Sequence, residues 1–341
     1  MKKIGRILCI AAVFFMLTAG SAVSQVNAID DITKAVDQFS AAMLNSLPFN
    51  STIGLNWSDP HIGKLIPSIP PHFGIGLTIG ATSVPIASIN ELASLFDMNL
   101  PADVSLGFPL PAYTVEARIG GFFLPFDLGF KFGYLPTIDI IKNLSGFGLN
   151  YLLIGGDFRY SLVDLKLLKL SVGVGFNHLA GGITYGIGSP LSLNFGPYKI
   201  DASQPELGLK WETNVLDFKA QIAFPIIIFT PYAGIGVSYS WSKAGYGLTS
   251  SISASDETGP INVNDIADEL GSYGITGITK NGFEQMREAE GFSFRLFGGI
   301  SINLPAIRFD LTALYNLNDT IHTKTFNLSS MGVTFGVRLQ I

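Results

Sequence analysis

Charge and cysteine are scarce in this chain, and each scarcity excludes a class of protein. Only 14% of the 341 residues are charged, against roughly 25% in an average soluble domain. The single cysteine, Cys9, lies in an apolar N-terminal stretch, so disulfides and thiol chemistry have no place in the rest of the chain. With four histidines and no nucleophile, base and orienting group at a matching spacing, the sequence predicts a protein that is not an enzyme and holds no metal or cofactor.

Long uninterrupted apolar runs are missing as well, although the mean hydropathy is +0.39. After the N-terminus the best candidate for such a run is Ile222–Val237, and Pro225 and Pro231 interrupt it. A helix that crosses a bilayer needs about 20 consecutive apolar residues. High hydropathy without such a helix favours strands that carry apolar side chains on one face only.

The first 28 residues have the pattern of a secretory signal peptide. A positively charged start precedes an apolar run, Ile7–Leu17. Small residues follow, and cleavage is predicted after Ala28 or, alternatively, after Ala22. Removing its three positive charges changes the formal net charge from −5 to about −8. We do not expect a chain with this balance to bind nucleic acid. Residues 29–71 follow, with helical spacing up to Asn45 and a proline-rich stretch near Pro70, so we predict a short helical segment there.

From His72 onward, apolar and polar residues alternate with the period of two that is typical of strands. Phe126–Leu135 is the clearest case, because its aromatic and leucine side chains alternate with Asp127, Lys131 and glycines. The phase of the alternation changes near Val215–Asp217, so Pro205–Phe224 is either one bulged strand or two strands around a tight turn. Ten strands are predicted: His72–Ala81, Ala112–Phe122, Phe126–Leu135, Asn150–Leu162, Leu168–Asn177, Pro205–Phe224, Thr230–Trp241, Glu290–Leu304, Ala306–Asn316 and Met331–Ile341.

Short and long connections alternate between the predicted strands. Those after Phe122, Leu162, Phe224 and Leu304 are a few residues long, whereas the others have about a dozen residues or more. Outer-membrane barrels sort their inner turns and outer loops in this way. We therefore predict an all-β fold, a transmembrane antiparallel up-and-down β-barrel over residues 72–341. It has about ten strands, or 12–14 if Gly182–Phe195 contains more.

The last predicted strand, Met331–Ile341, alternates apolar residues with small or polar ones such as Arg338 and Gln340. It resembles the closing strand of bacterial outer-membrane β-barrels. The resemblance implies export to the outer membrane of a diderm bacterium after signal cleavage, contact with outer-membrane lipid, and recognition of Met331–Ile341 by the barrel-assembly machinery. The layout is also loosely similar to that of the fatty-acid transporter type of barrel. By that likeness residues 29–71 form a plug; otherwise they lie in the periplasm.

Charged side chains recur on the predicted inward faces, where basic residues, Lys210 among them, outnumber acidic ones such as Glu212. Such a lining either favours anions or forms ion pairs across strands, and the narrow interior of a ten-stranded barrel favours pairing. Three arginines on the last three strands are expected to form a ladder that meets an anionic ligand, a carboxylate of the N-terminal segment or a salt-bridge network. The candidate solute contacts in the lumen are Arg118, Lys131, Arg159, Arg295, Arg308, Asp310 and Arg338.

Two functions are left open by the sequence. One is a narrow channel or facilitator for small amphipathic or anionic solutes, with residues 29–71 as its gate. The other is a surface-exposed structural or adhesive barrel with a closed lumen, which acts through its outer loops. The longest of these, Ser242–Glu290, is expected to be a mobile loop with a short helix over Phe283–Glu290.

Overall fold

The computed structural model describes residues 22–62, 71–85, 107–121, 124–136, 147–186, 191–195, 198–202, 206–249, 252–256, 259–261, 283–318 and 330–340. One long helix precedes a succession of strands. The helix α1 comprises Ala22–Asn50. The strands are β1 His72–Val84, β2 Phe108–Gly120, β3 Phe126–Leu135, β4 Phe147–Asp164, β5 Lys169–Gly186, β6 Leu191–Phe195, β7 Tyr198–Ala202, β8 Glu206–Ala223, β9 Phe229–Thr249, β10 Ile252–Asp256, β11 Gly259–Ile261, β12 Phe283–Asn303, β13 Ile307–Asn316 and β14 Met331–Gln340.

Ten of these strands form a closed antiparallel barrel in the order β1-β14-β13-β12-β9-β8-β5-β4-β3-β2. The barrel closes where the first strand pairs with the last, from Gly74 opposite Gln340 to Thr82 opposite Gly332. The predicted all-β, ten-stranded barrel is confirmed. The predicted bounds of the strand Phe126–Leu135 are those of β3, because its alternation is the most regular in the chain.

Two regions of the sequence are simpler in the structure than predicted. β8 is one strand whose pairing with β5 and β9 shows no register shift, so the prediction of a bulge or of two strands over Pro205–Phe224 is wrong. Lys210 and Glu212 consequently lie exposed on the outward face of β8 and not in the interior. In the described part of Gly182–Phe195, residues 182–186 belong to β5, and the further strand, β6, pairs with β7 in another sheet and not with the barrel.

Apolar side chains cover the outward face of the barrel. Phe130 is 60% exposed, Ile75 is 55% exposed and Phe292 is 65% exposed. Soluble proteins rarely expose a continuous apolar surface of this extent. Among the described residues, no helix has the length and apolar character needed to cross a membrane.

The connection between β9 and β12 is more ordered than the sequence indicated. β9 and β12 stay paired from Phe229 opposite Ile302 to Leu248 opposite Phe283. β10 and β11, which lie between them, join β6 and β7 in a four-stranded sheet. The prediction of a helix over Phe283–Glu290 is therefore wrong, because pairing with β9 outweighs the local helical tendency. Much of the predicted mobile loop Ser242–Glu290 is strand, although residues 262–282 lie outside the described part.

The helix α1 enters the barrel at the end where the long connections lie. The carboxylate of Asp37 pairs there with Arg287 of β12, and Phe39, Met43 and Leu47 are buried. The chain continues through the interior and reaches the end where the short turns lie. The backbone N–H of Ile62 donates a hydrogen bond to Asp127 Oδ2 over 2.6 Å at that end. The chain before β1 thus runs along the inside of the barrel.

Candidate functional site: the barrel interior

Residues 51–62, called the inner segment below, follow α1 and occupy the middle of the barrel. At their start, the Asn50 side-chain amide donates to Thr82 Oγ1 over 2.8 Å and to the carbonyl of Leu110 over 3.0 Å. The backbone then turns through Gly54, which has a φ of +88°. A Cβ atom at Gly54 would lie 2.7 Å from Thr114 Oγ1. Glycine is therefore needed here both for the left-handed backbone and for the close approach to β2.

Cationic side chains of the barrel wall bind backbone carbonyls of the inner segment. Lys131 Nζ donates to the carbonyl of Ser51 over 2.7 Å and to that of Ile53 over 2.6 Å. The carbonyl of Leu55 accepts from Arg118 over 3.0 Å and from Lys219 over 2.9 Å. Buried carbonyls need such partners, because an unpaired one costs about 1–3 kcal/mol.

Arg159 and Gln221 continue this pattern further along the inner segment. Both donate to the carbonyl of Trp57, over 3.0 Å and 2.9 Å respectively, and Arg159 also donates to the carbonyl of Asp59. These contacts depend on the backbone and not on the side chains of the inner segment. The carbonyls of the inner segment therefore supply the acceptors for these buried donors of the wall.

The side chain of Trp57 fills the space between two arginines. Its ring centroid lies 5.3 Å from Arg118 Cζ and 4.8 Å from Arg338 Cζ, within the range of cation–π attraction. Its Nε1 donates to Glu116 Oε2 over 2.5 Å. Gly74 of β1 makes room for the ring, since a Cβ atom there would lie 2.7 Å from it.

Asp59 is the anionic anchor of the inner segment. Its carboxylate pairs with Arg308 and accepts hydrogen bonds from Arg338 over 2.8 Å and from Gln340 over 3.1 Å. Burial raises the pKa of Asp59, but Arg308 and Arg338 lower it more, so its pKa lies well below its ordinary value. The carboxylate is therefore ionised at neutral pH and complements the arginine pair.

Charged residues of the wall also pair with one another. Arg118 Nη1 lies 2.6 Å from Asp127 Oδ1, and its Nη2 lies 2.8 Å from Asp157 Oδ2. Arg159 shares Asp127 over 2.7 Å, and Lys219 shares Asp157 over 2.8 Å. Breaking one buried pair typically costs about 3–5 kcal/mol. We call these residues and their partners the polar layer, which comprises Glu116, Arg118, Asp127, Lys131, Asp157, Arg159, Lys219, Arg308, Asp310 and Arg338.

The expected ladder of three arginines is only half formed. Arg308 and Arg338 lie directly opposite each other on β13 and β14, and Arg338 Nε lies 2.7 Å from Asp310 Oδ2. Arg295 lies opposite Asn316, at the other end of β13. It pairs with Asp217 of β8, with an Nη2–Oδ2 distance of 2.8 Å. The two arginines lie at different levels because Arg308 is next to the turn between β12 and β13, where it pairs with Asn303, whereas Arg295 comes well before that turn on β12.

All seven predicted lumen residues are buried inside the barrel. Six of them belong to the polar layer, and Arg295 stands apart. Their role as solute contacts stays a prediction. Trp57 and Asp217 were not predicted as partners. Asp59 is the carboxylate of the N-terminal segment that was one of the expected partners of the arginines, although the sequence did not single out this residue.

Towards the long connections, the interior changes from charged to apolar. Phe39, Met43, Leu44, Leu47 and Ile53 pack there against inward side chains of the wall. We call this part the apolar layer, whose wall residues are Val84, Leu110, Ala112, Tyr151, Leu153, Leu179, Leu207, Leu209, Trp211, Ala244 and Tyr246. The chain that fills the barrel is therefore held by apolar burial at one end and by charge at the other.

The site holds no arrangement suited to a metal ion within the part of the chain that the structure describes, where no group of three or more potential ligands is found. Its acidic side chains are instead paired with arginine or lysine, or accept from Trp57. The arrangement is suited to holding an anionic group and a chain of carbonyls in a narrow interior.

No family model and no curated protein matches this chain. It is similar in fold to solved structures of outer-membrane β-barrels. Ail of Yersinia pestis is 8% identical with a TM-score of 0.22, over 80% of this chain and 100% of Ail. The outer membrane protease OmpT from Escherichia coli is 10% identical with a TM-score of 0.34, over 80% and 97%. The toluene transporter TbuX from Ralstonia pickettii is 10% identical with a TM-score of 0.25, over 86% and 92%.

Proposed function

We propose that this protein is an outer-membrane facilitator for small amphipathic or anionic solutes, closed at rest by its own inner segment. In this proposal the outward apolar face contacts lipid, Met331–Ile341 is recognised by the barrel-assembly machinery, and the protein performs no catalysis. Residues 1–28 direct export, and the part that precedes the cleavage site is removed. The exposed apolar belt supports the membrane location, because water would be a poor solvent for it.

The contact between Asp59 and the arginine pair carries the proposal. The carboxylate of Asp59 is an anion that sits in a basic site but belongs to a separate segment of the chain, not to the wall. An anionic solute that reaches Arg308 and Arg338 would compete with Asp59 for them. Displacement of the inner segment would then free Arg118, Lys131 and Arg159 to bind the solute in place of the carbonyls that they now bind.

A planar-bilayer recording of Asp59→Asn tests the gate. The variant keeps the size of the side chain and removes its charge, so we expect openings that the wild type shows rarely, with preference for anions. Glu288→Gln is the control, because Glu288 forms an exposed ion pair with Lys243 over 2.7 Å, away from the interior. Heat-modifiable gel mobility shows whether each variant is folded.

The outcomes separate clearly. If folded Asp59→Asn is as silent as the wild type, the inner segment is not an electrostatically held gate. If Asp59→Asn does not fold, Gln340→Leu is recorded instead, since it removes a single hydrogen bond to Asp59. Equal opening in Glu288→Gln would show that the effect is a general loss of stability.

The alternative is a structural or adhesive barrel with a permanently closed lumen. The four-stranded sheet and the long pairing of β9 with β12 favour it, since they build an ordered surface at the outer end. Cells that display the chain without residues 252–261 should then lose adhesion to each other or to extracellular matrix, with the barrel intact. Unchanged adhesion would contradict this alternative.

A further inference from the structure

The pairing between β2 and β3 stops halfway along the barrel wall. It runs from Gly120 opposite Asp127 to Val115 opposite Phe132. β2 continues beside β1 as far as Phe108 opposite Val84, while β3 continues beside β4 as far as Leu135 opposite Tyr151. Within the described residues, the backbone of 108–114 of β2 is therefore paired with β1 only. Tyr113 still reaches β3, since its hydroxyl donates to the carbonyl of Tyr134. Pro109 and Pro111 lie in this stretch, and proline has no N–H to donate to a neighbouring strand.

A cavity of about 530 Å³ lies at this interruption. Its inner part is lined by buried residues that face the interior: Leu110, Ala112, Tyr151 and Trp211. Its outer part is lined by residues of the outward face: Ile79, Pro111, Tyr113, Val333 and Phe335. Because both faces of the sheet contribute, the cavity passes through the wall and connects the outward surface with the apolar layer.

We propose that this cavity is a binding site for a single hydrocarbon chain that enters through the wall between β2 and β3. None of the described residues that line it carries a charge. Its volume falls within the roughly 300–1,000 Å³ typical of small-molecule sites. Ile79 and Val333 at its outer end are each 52% exposed on the surface that faces lipid in the proposed location. A hydrocarbon is the ligand that both the lining and the surrounding lipid favour.

The inner end of the cavity touches the residues that hold α1. Leu110, Ala112 and Trp211 belong to the same cluster as Leu47 and Ile53. The Leu110 carbonyl also accepts the hydrogen bond from Asn50 at the end of α1. A bound chain would therefore contact the apolar layer beside the helix. This inference rests on the proposed function for its lipid surroundings, and it names the apolar part of an amphipathic solute.

Tryptophan fluorescence with a brominated ligand tests the site, because bromine quenches an indole that it contacts. The probe is 1-bromododecane, added to purified protein in which Trp241→Phe removes the exposed outward tryptophan. We expect saturable quenching, which disappears when Trp211→Phe is added. Ala112→Phe, which fills the inner part of the cavity, should weaken the apparent affinity by about tenfold or more.

Ala117→Phe is the matched control, since it adds the same ring to the outward face of the same strand. It should leave the quenching unchanged. Quenching that does not saturate, or that is equal in folded Ala112→Phe and wild type, would overturn the proposal. If Ala112→Phe does not fold, Leu149→Phe tests the same cavity.

Nanodiscs that contain phosphatidylcholine with brominated acyl chains distinguish the source of the hydrocarbon. Quenching of Trp211 by this lipid alone assigns the site to a lipid chain, and quenching only by 1-bromododecane assigns it to a free hydrocarbon. Quenching by neither refutes the site. Binding in the cavity does not require the inner segment to move, so the two proposals can fail separately. If Trp211 is quenched but Asp59→Asn shows no openings, only the gate is refuted. If Asp59→Asn opens but Trp211 is not quenched, only the cavity site is refuted.

Discussion

The two halves of the barrel interior hold the same piece of chain by different means. Near the short turns, the polar layer binds the inner segment through directional contacts to its carbonyls, to Trp57 and to Asp59. Near the long connections, the apolar layer packs against α1 chiefly through apolar side chains, and Asn50 at the end of α1 adds hydrogen bonds to Thr82 and to the carbonyl of Leu110. The polar layer fixes where the segment lies, because displacement of the segment takes buried donors such as Lys131 Nζ away from their carbonyl acceptors. The apolar layer contributes stability but tolerates small shifts of the helix.

Loss of the Trp57 ring should break the polar layer most severely. Trp57→Ala leaves Glu116 without its indole partner and empties the space between Arg118 and Arg338, so we expect a loss of about 3–5 kcal/mol in the free energy of unfolding. The measurement is the denaturant midpoint followed by heat-modifiable mobility, together with bilayer openings. Trp241→Ala, at an exposed outward position, is the control. Equal losses in the two variants would mean that the polar layer has no special role.

Truncation in the apolar layer should lower stability without opening the barrel. Leu47 is fully buried, so Leu47→Ala should cost about 2–4 kcal/mol. Asp59 keeps its arginine partners in this variant, and bilayer recordings should stay as quiet as those of the wild type. Leu162→Ala, on the outward face, should cost much less. Frequent openings in Leu47→Ala would erase the distinction between the two layers.

A smaller effect should follow from filling the space beside Trp57. Gly74→Ala places a methyl group 2.7 Å from the indole ring, and such overpacking costs about 1–3 kcal/mol. We expect a lower denaturant midpoint and occasional openings. Gly291→Ala is the matched control, because nothing lies within 4 Å of a Cβ atom there. Equal denaturant midpoints for Gly74→Ala and Gly291→Ala would mean that Trp57 moves to make room for the methyl group without loss of stability.

The smallest expected effect is on pH dependence. Burial lowers the pKa of His61 below its ordinary 6.5, and this outweighs the opposing attraction of the Asp164 carboxylate 3.6 Å from Nδ1. The inner segment thus binds fewer protons inside the barrel than when it is displaced. The free energy that holds it inside the barrel therefore falls as the pH drops below about 6.5. The lowered pKa of Asp59 means that its contribution is present above its ordinary 3.8 and is lost only at lower pH.

Openings should accordingly be slightly more frequent at about pH 5 than at about pH 7. Bilayer recordings at both values check this for the wild type and for His61→Asn. The variant should lose the difference. A response that persists in His61→Asn would assign it to another group.

The barrel itself was largely predictable from the sequence, because a strand between lipid and a lumen must alternate at every residue. β3 shows this in full. The prediction failed where that constraint ends: Phe283–Glu290 lies beyond the apolar belt, so its strand depends on pairing with β9 and not on a lipid face. The position of Lys210 failed for a related reason. At this end of β8 the inward residues Leu209 and Trp211 are apolar and the outward ones are polar, which is the reverse of the pattern around Asp217.

The partners inside the barrel were less predictable than the residues that line it. An inward arginine is visible from its position in a strand, but its partner is set by strand register and by the route of the inner segment. Arg295 and Arg308 look equivalent in the sequence, yet one pairs with the wall at Asp217 and the other with Asp59. Residues 51–62 do not form a strand and show no alternation, so their sequence does not predict that Trp57 lies between Arg118 and Arg338.

The seam between β1 and β14 constrains the order in which the barrel is assembled. Residues 39–62, which are the end of α1 and the inner segment, pass through the ring that this seam completes. A ring that had already closed would admit them only by threading a helix through a narrow opening, at a large cost in chain entropy. The enclosed residues precede every strand in the chain, whereas β14 is the last strand to be synthesised. We therefore expect the inner segment to be in place before the seam between β1 and β14 closes.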